Sequence, residues 1–151
     1  MKKILAVASI GGHWIQLLRI AKGLESQYDM VYCSTHGKCA VQVPEYSFIK
    51  VTDFSRWNIY RMPRALFDFL RIIRAERPDA IITTGAAPGL TALIAAKIAG
   101  GVKTVWIDSV ANAEQLSASG RMALFVADRV YTQWENLADG KKIMYAGNIF
   151  G

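Results

Sequence analysis

The chain has only two cysteines, Cys33 and Cys39, six positions apart. That spacing fits neither a CxxC pair nor a zinc pattern, so reduced thiols, no metal and a cytoplasmic setting are expected. Long apolar runs are missing too. The N-terminal stretch ILAVASI runs straight into glycines, unlike a signal peptide. Residues 86 to 101, AAPGLTALIAAKIAGG, are too few to cross a bilayer and include Lys97. The GxGxxG of dinucleotide binders and the lysine of a P-loop are both absent, which disfavours a nicotinamide dehydrogenase. No standard nucleic-acid-reading module is visible, so no nucleic-acid partner is expected. Without internal repeats or low-complexity linkers, residues 1 to 151 are expected to form one domain. Acidic residues are the minority, 12 against 18 Lys and Arg, giving a net charge of +6. Such a balance favours an anionic partner: an acidic membrane surface, a phosphorylated substrate or nucleic acid.

What is present is an alternation. With 52% hydrophobic residues the chain can bury a core, and its apolar segments recur between helical patterns. Strands are expected at 2–9, 29–35, 46–51, 78–84, 102–108, 129–134 and 141–147. Helices are expected after the first strand (Trp14, Leu17, Leu18, Ala21 and Leu24 on one face), at 61–76, from the GAAPG segment to Ala99, and near 120–127. Strands rich in Ile, Val and Ala without polar alternation suit a parallel sheet buried on both faces. The fold class is therefore α/β, a doubly wound, mostly parallel Rossmann-like sheet.

In such sheets ligands bind beyond the carboxyl ends of the strands, where three loops are of interest. In SIGGHW, Gly11 and Gly12 let a ligand approach the backbone at a helix N-terminus, a favourable place for phosphate. His13 is a candidate base, or a satisfied histidine in a tight turn. TTGAAPG repeats the theme with Gly85 and a proline, Pro88, near the helix start. The third loop carries Asp108, Ser109, Asn112, Glu114, Gln115, Ser117 and Ser119, able to bond sugar hydroxyls, with Asp108 a second candidate base. The alternative readings are that Ser119 caps the next helix and that Asp108 bonds its own loop.

The helix at 61–76 should pack on the sheet through Met62, Leu66, Phe69, Leu70 and Ile73. Its other face carries Arg64, Arg71 and Arg74 around Phe67, and Arg56, Trp57, Tyr60 and Arg61 precede it. Arginines interleaved with aromatics suit the headgroup region of an anionic membrane, although a solvated basic face is the simpler reading.

SIGGHWIQLLRI is similar to the GGH loop that opens family-28 glycosyltransferases. The stretch DSVANAEQLSASGRMALFVADRVYTQWENL resembles the acceptor-side subunits of two-component GT-B transferases. These comprise the eukaryotic dolichol-linked GlcNAc transferase and its bacterial exopolysaccharide and capsule counterparts. MYAGNIFG resembles the hinge that leads into a donor-binding domain. The resemblance implies a GT-B N-terminal half that ends at the hinge and is inactive alone. A separate donor-binding subunit would hold the UDP-sugar, and no other cofactor is implied. The acceptor would be a polyprenyl-diphosphate-linked saccharide of polysaccharide biosynthesis. It implies peripheral attachment to the cytoplasmic face of the plasma membrane through the 56-to-74 surface. Gly11, Gly12, Gly85, Ser109, Asn112, Glu114 and Gln115 would line the diphosphate and substrate site, with His13 as base and Asp108 or Glu114 as rivals. Tyr145, Asn148, Ile149 and Phe150 would meet the partner. A non-catalytic scaffold for the donor subunit and a stand-alone nucleotide-sugar enzyme remain alternatives.

Overall fold

A computed structural model describes residues 1–150; Gly151, the last residue of the expected domain, lies outside them. Seven strands form one sheet in the order β3-β2-β1-β4-β5-β6-β7, and every neighbouring pair is parallel. They are β1 (Lys3–Ala8), β2 (Asp29–Ser34), β3 (Ser47–Lys50), β4 (Ala80–Gly85), β5 (Lys103–Ile107), β6 (Arg129–Thr132) and β7 (Ile143–Tyr145). Helices α1 (Gly12–Lys22), α2 (Met62–Glu76), α3 (Ala87–Ala99) and α4 (Ala118–Ala123) join them. The expected doubly wound α/β class is the one observed.

Period-two alternation divides the core. Leu5, Val7, Val31, Cys33, Ile81 and Trp106 face Phe69, Ile72, Ile73, Leu93 and Ala123 of α2, α3 and α4. Ile4, Ala6, Ala8, Met30, Tyr32 and Ile82 face Trp14, Leu17 and Ala21 of α1. On the α1 side Trp14, Tyr32, Phe48 and Tyr46 meet edge-on, with centroids 5.6 to 6.1 Å apart, a favourable aromatic geometry. α2 buries Ala65, Phe69, Ile72 and Ile73, whereas the expected Leu66 and Leu70 are only partly covered.

Two local expectations need correction. The fourth helix spans 118–123, not 120–127, and its cap is Ser117: the Ser117 hydroxyl accepts from Gly120 N at 2.9 Å, so Ser119, the alternative capping candidate, is not the cap. Residues 56–61, expected only to lead into α2, form a 3-10 turn with a Ser55–Asn58 capping box.

The winding reverses between β1 and β4, and that switch point is where a ligand crevice opens in this architecture. The β1–β4 register also shifts there, pairing Val7 with Thr83 but Ala8 with Gly85. Thr84 is left as the extra residue of a bulge, turned out of the ladder towards the crevice.

Candidate functional site

His13 occupies the second position of α1, immediately after the glycine turn. Gly11 adopts φ +99, a conformation that an L side chain rarely takes, and so frees the first turn of α1 at the carboxyl end of β1. The His13 Nδ1 lies 2.9 Å from the Thr84 carbonyl oxygen. A carbonyl can only accept, so Nδ1 carries the proton, and in the neutral ring Nε2 keeps its lone pair. The Thr84 hydroxyl donates back to the His13 carbonyl at 2.6 Å, so the bulge residue grips both ends of His13. Gly85, at φ +117, allows the ring this close: a Cβ there would stand 2.9 Å from Nδ1. The ring is half-buried, and its Nε2 makes no hydrogen bond among the described residues.

The third loop is tied to the same place by α1. The Gln16 amide donates to the Ser109 hydroxyl at 2.9 Å, and its carbonyl accepts from Val110 N and from the Gln133 amide. Gln133 also donates to the Asp108 carbonyl and accepts from Ile149 N at 3.0 Å, which ties the C-terminal segment into the network. Gly11, Gly12, His13, Gly85, Ser109 and Asn112 are thus brought to one ledge over the ends of β1, β4 and β5. Glu114 and Gln115 lie exposed further along the loop, where the Gln115 carbonyl accepts from Arg121.

Asp108 is 2% exposed, with both oxygens engaged. Oδ1 accepts from Trp106 Nε1 at 3.0 Å and from the Ser117 hydroxyl at 2.6 Å. Oδ2 accepts from Asn112 Nδ2 at 3.2 Å and Ser117 N at 2.9 Å. Four donors on one carboxylate give Asp108 the loop-organising role, the alternative to acting as a base.

The residues expected at the membrane surface are exposed. Trp57 is 83%, Tyr60 79% and Phe67 59% exposed, with Arg56 and Arg71 lying 5.0 and 5.7 Å over the Trp57 and Phe67 rings. Of the expected partner-facing set, Tyr145 ends β7, Asn148 accepts from Phe150 N, and Phe150 lies exposed beneath the Arg19 guanidinium. Among the described residues no helix is long and apolar enough to cross a membrane, and no group of three or more His, Cys, Asp or Glu could hold a metal.

Sequence reading missed Thr84, Gln16 and Gln133. Thr84 sits inside a quoted loop, but only the bulge turns it to His13. Gln16 lies beside the apolar face of α1, so helical periodicity assigns it to solvent, whereas the folded loop of residues 108–110 covers it.

Solved structures share this architecture. Acinetobacter baumannii MurG superposes with a TM-score of 0.81 at 16% identity, over 98% of this chain and 46% of that one. A UDP-GlcNAc 2-epimerase from Neisseria meningitidis, solved with UDP-GlcNAc, gives 0.75 at 14%, over 97% and 47%. The chain therefore spans about half the length of these structures, as a Rossmann-like domain of the GT-B type. The family model Glycosyltransferase Family 4 matches residues 10–108, and the chain belongs to that family. The GGH loop had suggested family 28, so that likeness holds at the coarser level of a glycosyltransferase domain. Among curated proteins, the mouse and human UDP-N-acetylglucosamine transferase subunit ALG14 are 23% and 24% identical, each over 97% of this chain and 82% of its own length.

Proposed function

We propose that this chain is the acceptor-side subunit of a two-component transferase, which moves a sugar from a UDP-sugar to a polyprenyl-diphosphate-linked saccharide in polysaccharide biosynthesis. A separate subunit holds most of the donor, and contact with it runs through Tyr145, Asn148, Ile149 and Phe150. The observation that carries the reading is the ledge: a glycine-framed helix N-terminus suited to a diphosphate, beside a histidine whose free Nε2 is set by Thr84. Likeness to a named transferase subunit supports the division of labour. His13 takes the proton from the acceptor hydroxyl as it attacks the sugar's anomeric carbon and UDP leaves. Gly11, Gly12 and Gly85 bring backbone to the diphosphate, while Ser109 and Asn112 orient the saccharide, with Glu114 and Gln115 at its outer end. The exposed arginines and aromatics from Arg56 to Arg74 rest on the cytoplasmic face of an anionic membrane, where the acceptor resides.

The test is to purify the chain with whatever donor-binding protein accompanies it from its host. Transfer from a panel of UDP-sugars to polyprenyl-diphosphate saccharides is then assayed with and without that partner. Product is expected only from the pair, and His13→Ala should lower turnover by about a hundredfold or more. An effect below about threefold removes the base role from His13, and robust product from the chain alone overturns the two-component reading.

A further inference from the structure

The membrane-facing residues do not form a uniform surface. Strand β3 is an edge strand, and α2 packs mainly beside α3, so β3 is only partly covered on that face. The result is an open groove of about 950 Å3 between β3 and α2. Its floor is Ile49, Val51 and Ile72, and its walls carry Lys50, Arg61, Arg64 and Arg71. Arg56 and Arg74, which the sequence grouped with Arg64 and Arg71, are not among its lining residues.

Charge in the groove is unevenly compensated. Three carboxylates share the lining, Asp53, Asp68 and Glu76. Asp68 accepts from Thr52 N at 3.3 Å and from the Thr52 hydroxyl at 2.6 Å, and Glu76 pairs with Lys3 at 3.1 Å. Only Asp53 makes no such contact. None of the four cations has a carboxylate within 4.0 Å, since Lys3–Glu76 is the one ion pair among the described residues. Residues 50 to 77 carry seven cations and three acids, an excess of four in a chain whose whole excess is six. The rim carries Tyr60, with Trp57 and Phe67 exposed nearby. The inner end is Thr35, whose hydroxyl accepts from Ile10 N at 3.0 Å, one residue before the Gly11 turn.

We propose that this groove seats the phosphate of a membrane lipid's headgroup, with Lys50, Arg61, Arg64 and Arg71 around it and Trp57, Tyr60 and Phe67 entering the interface beside it. Arginine suits the role because its planar donor fork matches phosphate oxygens, and aromatic rings favour the depth at which headgroups lie. The seat rests on the membrane-docking reading above and narrows it from a charged surface to a site. It also fixes orientation: a headgroup held here leaves the His13 ledge next along the same edge of the sheet.

Sedimentation with phosphatidylcholine vesicles containing phosphatidylglycerol tests it, using two variants that each remove three charges. One is Lys50→Gln with Arg64→Gln and Arg71→Gln, all in the groove. The other is Arg56→Gln with Arg74→Gln and Arg77→Gln, all outside it. Diffuse attraction gives each basic residue a similar share, so both variants would weaken binding alike. The seat predicts that the groove variant loses about tenfold more affinity than its counterpart, with thermal unfolding confirming that both fold. Inorganic phosphate, which offers the same oxygens, should displace wild type better than chloride at equal ionic strength, and the groove variant should lose that difference. Equal losses overturn the seat while leaving membrane docking intact, and wild type that ignores the vesicles overturns both. Displacement by phosphate no better than by chloride overturns phosphate recognition in the groove. A phosphate-induced rise in unfolding temperature that only the groove variant loses, with equal vesicle losses in both variants, assigns the groove to a soluble anion instead.

Discussion

Asp108 and Arg64 are both charged and belong to the same sheet-and-helix frame, yet their surroundings are opposite. Asp108 is buried and takes four hydrogen bonds from its own loop and from Trp106. Arg64 lines an open groove with no carboxylate of the described residues within 4.0 Å. A polar group satisfied inside the chain shapes the chain, because removing it strands its partners in a poorly solvated place. A charge left without a partner at the surface does little for the fold and remains free to meet something else. The His13 ledge combines the two: Nδ1 is committed to Thr84, and Nε2 is not.

The contrast breaks first if Asp108 proves dispensable to the fold. Asp108→Ala leaves the Trp106 indole, the Ser117 hydroxyl and amide, and the Asn112 amide without their acceptor. A loss of about 3–5 kcal/mol is expected, the scale for breaking a buried charged network, measured by urea denaturation. A loss near zero would show that the loop is held by other means. Gln133→Ala should cost less, about 1–3 kcal/mol, because Gln16 keeps its Ser109 and Val110 contacts. Its particular sign should be faster amide exchange at Ile149, which loses its acceptor.

Much of this frame was legible in advance. Runs such as KILAVA and AIITTG read as buried parallel strands because both faces of the pleat need apolar residues, and the glycines at 11 and 85 marked the strand ends that form the ledge. The aromatic and basic content of the groove rim was legible as composition. What could not be read was tertiary. Gln16 is buried by a loop 93 residues away in sequence, as its bond to Ser109 shows. Lys50 joins Arg64 and Arg71 only because an edge strand lies open beside α2, and Arg74, one turn further on, is left out. Helical periodicity gives the face of a residue, not the width of the gap it borders.

A third expectation concerns alkaline pH, with no effect near neutrality. Burial raises the Tyr32 phenol above its ordinary 10.0, helped by its bond to Glu25, and burial raises the Cys33 thiol above its ordinary 9.0. The unfolded chain releases these protons at the ordinary values while the folded one retains them. Their contribution is therefore complete below about pH 9 and declines as pH rises further. Urea midpoints should be flat from about pH 7 to 9 and fall beyond, less steeply in Tyr32→Phe. A midpoint that rises with pH there would contradict the burial of both groups.

The smallest expected change in stability is the one that sharpens the comparison most. Arg64→Gln and Arg71→Gln remove exposed guanidiniums whose one side-chain interaction among the described residues is that of Arg71 with the Phe67 ring, 5.7 Å away. Surface substitutions of this kind stay within about 0.5 kcal/mol, and a weak exposed cation–π contact adds little. Lowering positive charge in a segment with a cationic excess relieves repulsion, so the sign can even be favourable. Urea midpoints of the double variant should therefore match wild type, while the same protein sediments less with anionic vesicles. A fall of more than about 2 kcal/mol would mean that the arginines hold the fold as Asp108 does, and the distinction between the two regions would be lost. Unchanged stability with weakened vesicle binding assigns Arg64 and Arg71 to an external partner, because the fold then does not depend on charges that the vesicles do.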